Sequence, residues 1–147
     1  MRLLLVLPAV LAIGAFTACG DTGEGGSVDI TLHDDQTPWS IETDVDSLPK
    51  GPIEFTVENT GSIEHEVLII ETDIAPDKLP TKDDGSIDED ATDVDVKYKI
   101  EKIGDGDKTG RTYELDAGSW VFACNIVKDG KAHYQQGMRT SFTIEDK

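Results

Sequence analysis

Helical periodicity is the first thing this chain lacks. Beyond its first 18 residues, no stretch repeats apolar side chains at three- and four-residue spacing for a useful length, which excludes a helical bundle or coiled coil. Cysteine is scarce: Cys19 and Cys124 are the only two in 147 residues, too few for a disulfide framework. Positive charge is short as well. Thirteen Lys and Arg stand against 30 Asp and Glu, a formal net charge of −17, which excludes nucleic-acid binding and adhesion of the folded body to anionic lipid. Methionine and histidine are few, at two and three. No nucleophile–base motif, phosphate-binding loop or paired-carboxylate signature is present, so nothing in the sequence points to an enzyme. The run from Asp105 to Asp116 faintly echoes a calcium-binding loop, but it lacks the final Glu and flanking helices; a β-hairpin turn is the better reading.

The N-terminus carries the one long apolar run. Arg2 precedes the stretch Leu3 to Phe16, which is interrupted by Pro8 and Gly14 and is short for a membrane span. Residues 1–18 read as a secretory signal. The sequence Phe16-Thr17-Ala18-Cys19 resembles a bacterial lipobox, in which Cys19 becomes the acylated first residue; ordinary cleavage that discards Cys19 is the alternative. Removing residues 1–18 takes away Arg2 and leaves a charge of −18. Residues 19–27, rich in Gly and without a large apolar side chain, are expected to form a flexible tether.

From residue 28 onward, period-two alternation dominates. Ile53, Phe55 and Val57 alternate with Glu54, Thr56 and Glu58; Val94, Val96, Tyr98 and Ile100 alternate with Asp95, Lys97, Lys99 and Glu101. Gly, Pro and Asp punctuate the runs. The expected fold is all-β, an antiparallel Greek-key sandwich with one solvated face per sheet. Seven or eight strands are expected, near 28–33, 39–43, 52–58, 64–71, 94–103, 111–116, 119–124 and 139–145. The acidic stretch from Glu71 to Asp95 reads as one solvated loop with at most a helical turn. Trp39, Phe55, Trp120 and Phe142 are expected in the core. His33 has no partner nearby in sequence and is expected at the surface.

One constellation stands out. Cys124 ends the strand-like run Gly118–Cys124; His133 follows after eight residues and Met138 after four more, just before the last strand. Far upstream, His65 lies on Ile63–Ile69, after Asn59-Thr60-Gly61. Strand parity places Trp120, Phe122 and Cys124 on one face, and Ile63, His65, Val67 and Ile69 on one face. A thiolate, two imidazoles and a thioether form the ligand set that suits copper cycling between Cu(I) and Cu(II). In order, spacing and setting this segment resembles the cupredoxins, the plastocyanin/azurin family of blue copper proteins, over roughly residues 28–147. The eight-residue gap is long for that family, and Glu66 stands where Asn often follows the first His.

The resemblance implies one type 1 copper held by His65, Cys124 and His133, with Met138 as weak axial ligand and the His133 imidazole edge near the surface. It implies a monomeric single-electron carrier. With Cys19 as anchor, it would sit on the extracytoplasmic face of the membrane, exchanging electrons with redox proteins, basic ones such as a cytochrome or oxidase if acidity steers docking. A copper chaperone or storage lipoprotein is the rival. It is disfavoured because few Met and His remain once the site is assigned. A multicopper enzyme needs further histidines, and only His33 is left over.

Overall fold

A computed structural model describes residues 23–147. The signal segment, Cys19 and the start of the tether lie outside the described residues. In chain order the elements are β1 (Gly26–His33), β2 (Ser40–Thr43), β3 (Ser47–Pro49), β4 (Gly51–Asn59), β5 (His65–Glu71) and β6 (Asp95–Ile103). Then come β7 (Lys108–Leu115), β8 (Gly118–Ala123), β9 (Val127–Lys128), β10 (Lys131–Ala132), the short helix α1 (His133–Gln136) and β11 (Arg139–Glu145).

Two sheets face each other. One has the order β2-β1-β4-β7, the other β3-β11-β8-β5-β6, and β9 and β10 pair by themselves as a small hairpin. Among the described residues the sandwich therefore has nine strands, where seven or eight were expected. It is also mixed rather than purely antiparallel, because β1 runs parallel to β4 and β11 parallel to β3. The three-residue β3 was not expected; its hydrogen-bonded edge against β11 replaces the alternation that a longer strand would show. Strand β1 begins at Gly26, so Gly26 and Ser27, expected in the tether, pair with Ile53 and Glu54 instead.

The inward faces close a core that includes Val28, Ile30, Phe55, Val57, Val67, Ile69, Trp120, Phe122 and Phe142, together with Cys124 and Met138. Burying such side chains contributes about 1.5–3 kcal/mol each. Trp39 departs from expectation: it is only partly buried and packs against the core from outside.

The five-stranded sheet has no solvated face where β5 and β8 lie. Leu68 and Ile70 of β5 and Val121 and Ala123 of β8 point outward into a second cluster with Leu79, Ile87, Val94 and Tyr134. The segment after Glu71, expected to be a solvated loop, thus lies across that face without forming a helix. Most of its acids stay exposed, Asp88 and Glu89 being half-buried, while Leu79 and Ile87 anchor it. The alternation along β6 also misleads. Register shifts between His65 and Val67, and between Ile69 and Ile70, put extra residues on β6, and Lys102 takes a left-handed φ of 58°. Val94 and Val96 consequently join the outer cluster while Tyr98 and Ile100 join the inner core. The expected hairpin at Asp105 is a corner instead, since β6 and β7 belong to different sheets.

Among the described residues no helix is long and apolar enough to cross a membrane. Because Ile87 is fully buried, Ile87→Ala should lower the unfolding free energy of metal-free protein by about 2–5 kcal/mol in urea titrations. A change below about 0.5 kcal/mol, the value usual for a solvated loop, would contradict this packing.

Candidate metal centre

His65 is the first residue of β5, and the turn that delivers it is tied down before it. Buried Asn59 donates through Nδ2 to the carbonyls of Ile63 (2.7 Å), Ile103 (2.9 Å) and Gly104 (3.0 Å), while its Oδ1 accepts from the Gly61 N–H at 2.9 Å. Cys124 follows β8 directly, and its N–H donates to the Met138 carbonyl at 3.0 Å. His133 opens α1, with its N–H on the Ile126 carbonyl at 2.9 Å, and the Met138 N–H closes back on the His133 carbonyl at 3.2 Å. Gly137 makes this tight return workable. Its φ is +120°, and a Cβ there would sit 2.3 Å from the Trp39 carbonyl oxygen. The Trp39 N–H in turn donates to the Gln136 carbonyl at 2.9 Å.

These supports bring His65 together with Cys124 and His133, which lie 59 and 68 positions further along the chain. His65 Nδ1 and His133 Nδ1 lie 3.1 Å apart, and Cys124 Sγ lies 3.3 Å from His133 Nδ1 and 3.8 Å from His65 Nδ1. His65, Cys124, His133 and Met138 are all completely buried. His65, Cys124 and His133 offer donor atoms close enough for one metal ion. Met138 belongs to the same buried cluster as Cys124. His33, by contrast, is not part of the centre: its Nδ1 lies 2.9 Å from Thr60 Oγ1, and Glu42 is 3.7 Å from its Nε2. It is only half-exposed, so the expected free surface position is replaced by a partnered one.

The protonation chemistry fits a cation. Burial pushes the Cys124 thiol up to about 12, although the backbone N–H groups of Glu66 and Ile126 favour the thiolate. Burial, with His65 nearby, pulls His133 down to about 4, and burial also lowers His65 against the opposing pull of Asp34. Both imidazoles are therefore neutral at pH 7, the ligating form, and two Nδ1 lone pairs facing each other at 3.1 Å gain nothing without a cation or proton between them. A thiolate here needs positive charge beside it. The donor set, soft thiolate plus imidazoles, suits copper or zinc more than calcium or magnesium, and a buried thioether alongside favours copper.

Sequence reasoning missed Asp34. Its side chain is 3% exposed, and its Oδ2 lies 3.0 Å from His65 Nε2. The Ser62 N–H reaches both carboxylate oxygens at 2.8 and 2.9 Å, and the Ile63 N–H donates at 3.0 Å. Burial works to raise this carboxyl, but the hydrogen bonds from Ser62, His65 and Ile63 outweigh it and hold it below the ordinary carboxylate range. Nothing in an Asp34-Asp35 dipeptide 31 residues before His65 signals the contact. Glu66, standing where Asn was the familiar residue, accepts from the Asn125 N–H at 3.2 Å, and burial raises its carboxyl. Asn125 Nδ2 also donates to the Ile87 carbonyl at 3.2 Å, so the covering segment is clamped to the residue after Cys124.

The His133 ring lies near the surface, as expected, but recessed beneath it. Its Nε2 is buried with no hydrogen-bond partner among the described residues, and Trp39 stands edge-on to the ring at 5.1 Å between centroids. His133 reaches the floor of a depression walled by Trp39, Ile63, Lys128, Asp129 and Lys131. The β9–β10 hairpin, made by the long gap after Cys124, places Lys128 and Lys131 there.

No protein-family profile and no curated protein sequence matches the chain. Solved structures do. Reduced auracyanin from the photosynthetic bacterium Roseiflexus castenholzii is 19% identical with a TM-score of 0.51, covering 83% of this chain and 97% of its own. A rusticyanin variant is 16% identical with a TM-score of 0.58, covering 84% and 79%; rusticyanin is described as a copper protein. Auracyanin B is 13% identical with a TM-score of 0.50. The fold is thus the cupredoxin β-sandwich.

With the thiol near 12 and both imidazoles neutral, loading copper at pH 7 should release about one proton per ion, from Cys124. Apparent affinity should therefore rise about tenfold per pH unit between roughly pH 6.5 and 9. Calorimetric titration in two buffers of different ionisation enthalpy counts the protons. Release of none would mean that Cys124 is not a ligand.

Proposed function

We propose that this protein is a membrane-anchored, extracytoplasmic blue copper protein that carries single electrons between redox partners and is not an enzyme. The observation that carries this reading is the buried triad of His65, Cys124 and His133, with donor atoms 3.1–3.8 Å apart, at one end of a cupredoxin sandwich. Copper held there, with Met138 as the weak axial ligand, supplies a one-electron couple between Cu(I) and Cu(II). The chain's part is to keep the donors still. Hydrogen bonds through Asn59 and Asp34 hold the turn before His65, the Met138 carbonyl holds Cys124, and the Ile126 and Gln136 carbonyls hold the His133 segment, so little rearrangement accompanies a change of charge. Trp39 and the outer wall exclude water from the donors.

The buried setting favours electron carriage over copper handover. A chaperone needs ligands that an acceptor protein can reach, whereas here every donor is at zero exposure. After the signal is removed, Met138 is the one methionine left to bind copper. The depression lined by His133 lies against the site, and its two lysines make a small basic rim on an acidic body. Long-range attraction to a basic partner, screened over about 8 Å at physiological ionic strength, would set the encounter rate. The protein acts as a monomer, is held to the membrane only through its lipid, and does not bind nucleic acid.

Copper should leave slowly while reduction and reoxidation run fast. Met138→Leu should keep the intense thiolate colour and raise the potential, because losing the thioether disfavours Cu(II). Rapid Cu(I) transfer to an acceptor protein with sluggish redox cycling would overturn electron carriage in favour of a chaperone or storage role.

Anchoring rests on residues 1–18 as signal, Cys19 as the acylated residue and residues 19–27 as the link to the domain. Mass spectrometry of membrane-extracted protein should find an acylated N-terminus at Cys19 and an unmodified Cys124. A soluble mature form starting at Asp21 would contradict this.

A further inference from the structure

We infer that Asp34 is a positioning residue of the metal centre, a buried carboxylate that fixes the tautomer of His65 and biases the site toward the more highly charged metal ion. This rests on the copper reading above and goes beyond its ligand set. Asp34 grips the turn that carries His65 through the N–H groups of Ser62 and Ile63, and it also grips the imidazole itself, Oδ2 to Nε2 at 3.0 Å. One carboxylate thus sets both the backbone position and the ring orientation of the same ligand.

The chemistry follows from which nitrogen is engaged. An ionised carboxylate can only accept, so His65 must carry its proton on Nε2. That leaves the Nδ1 lone pair directed at Cys124 Sγ and His133 Nδ1, where a metal would be held. A carboxylate behind an imidazole raises its basicity as a ligand. Its charge is also poorly screened. The side chain is 3% exposed, and among the described residues no Lys or Arg lies within ion-pairing distance of it. In a surrounding of low dielectric, an unbalanced negative charge one imidazole away stabilises a divalent ion more than a monovalent one. Both effects point the same way: Asp34 strengthens Cu(II) binding more than Cu(I) binding and lowers the reduction potential.

Asp35 provides an internal control. It is adjacent in sequence and carries the same charge, but its side chain is 72% exposed and does not touch His65.

The test compares Cu(II) and Cu(I) affinities and the reduction potential of the full-length protein with those of Asp34→Asn, Asp34→Glu and Asp35→Asn. Asp34→Asn should keep the thiolate colour, lose about 10–100-fold in Cu(II) affinity, lose less for Cu(I), and show a higher potential. Asp34→Glu, which keeps the charge, should fall between it and the wild type, and Asp35→Asn should match the wild type. Equal Cu(II)-to-Cu(I) affinity ratios in wild type and Asp34→Asn would overturn the inference while leaving the copper reading intact. A wild type that shows no thiolate colour would instead sink the copper reading itself. A second measurement needs neither a variant nor copper. Ring 15N shifts of His65 in the metal-free wild type should show the Nε2–H tautomer with its proton protected from exchange; the Nδ1–H tautomer would overturn the positioning role even if Asp34→Asn does not fold.

Discussion

Charge balance at a dry site is the constraint on which the rest of this molecule depends. A thiol and two imidazoles share one pocket at the end of an apolar core, with their donor atoms 3.1–3.8 Å apart and no exposure to water. Each is pushed toward its neutral form by burial. A cation reverses that preference for the thiol alone, by stabilising the thiolate, and suits the imidazoles as they stand, because their neutral form is the one that ligates. The sandwich does not need the ion to bury its core. The site needs the ion to make chemical sense.

Around that cluster the chain spends its polar hydrogen bonds on immobility. Asn59 and Asp34 hold the turn before His65, and the Cys124 and Met138 backbones bond across the gap between β8 and β11. Gly137 lets the return from α1 pass against Trp39, and Trp39 stands over both imidazole rings, with centroids at 5.1 and 6.1 Å. The segment after Glu71 closes the outer side through Ile87 and Asn125. Walls packed this closely leave the donors little room to move.

Much of this was legible in the sequence because strands write their burial every second residue. The core residues of β4 (Ile53, Phe55, Val57), those of β8 (Trp120, Phe122) and Cys124 just after β8 fell on the faces that alternation assigned. The order His65, Cys124, His133, Met138 pointed to one site, and the fold does gather the three N and S donors with Met138 in the same core. What escaped was whatever depends on contacts distant in sequence. Bulges on β6 switch faces mid-strand without changing composition, so Val96 and Tyr98 part company despite perfect alternation. The acidic stretch looked solvated because its anchors, Leu79 and Ile87, are outnumbered by exposed Asp residues. Asp34 is silent in sequence, since a carboxylate's partner is set by tertiary approach alone. Trp39, an aromatic of ordinary core type, serves as a lid because its loop passes over the site rather than through the sandwich.

The central claim is that Cys124 binds copper as a thiolate together with two imidazoles in one closed centre. Titrating purified metal-free protein with Cu(II), followed by visible absorption and electron-spin resonance, tests it most directly. An intense sulfur-to-copper charge-transfer band that saturates at one equivalent, with the narrow copper hyperfine splitting of a covalent thiolate bond, is the expected result. Weak d–d absorption with wide hyperfine splitting, or a signal that does not saturate at one equivalent, would contradict the account.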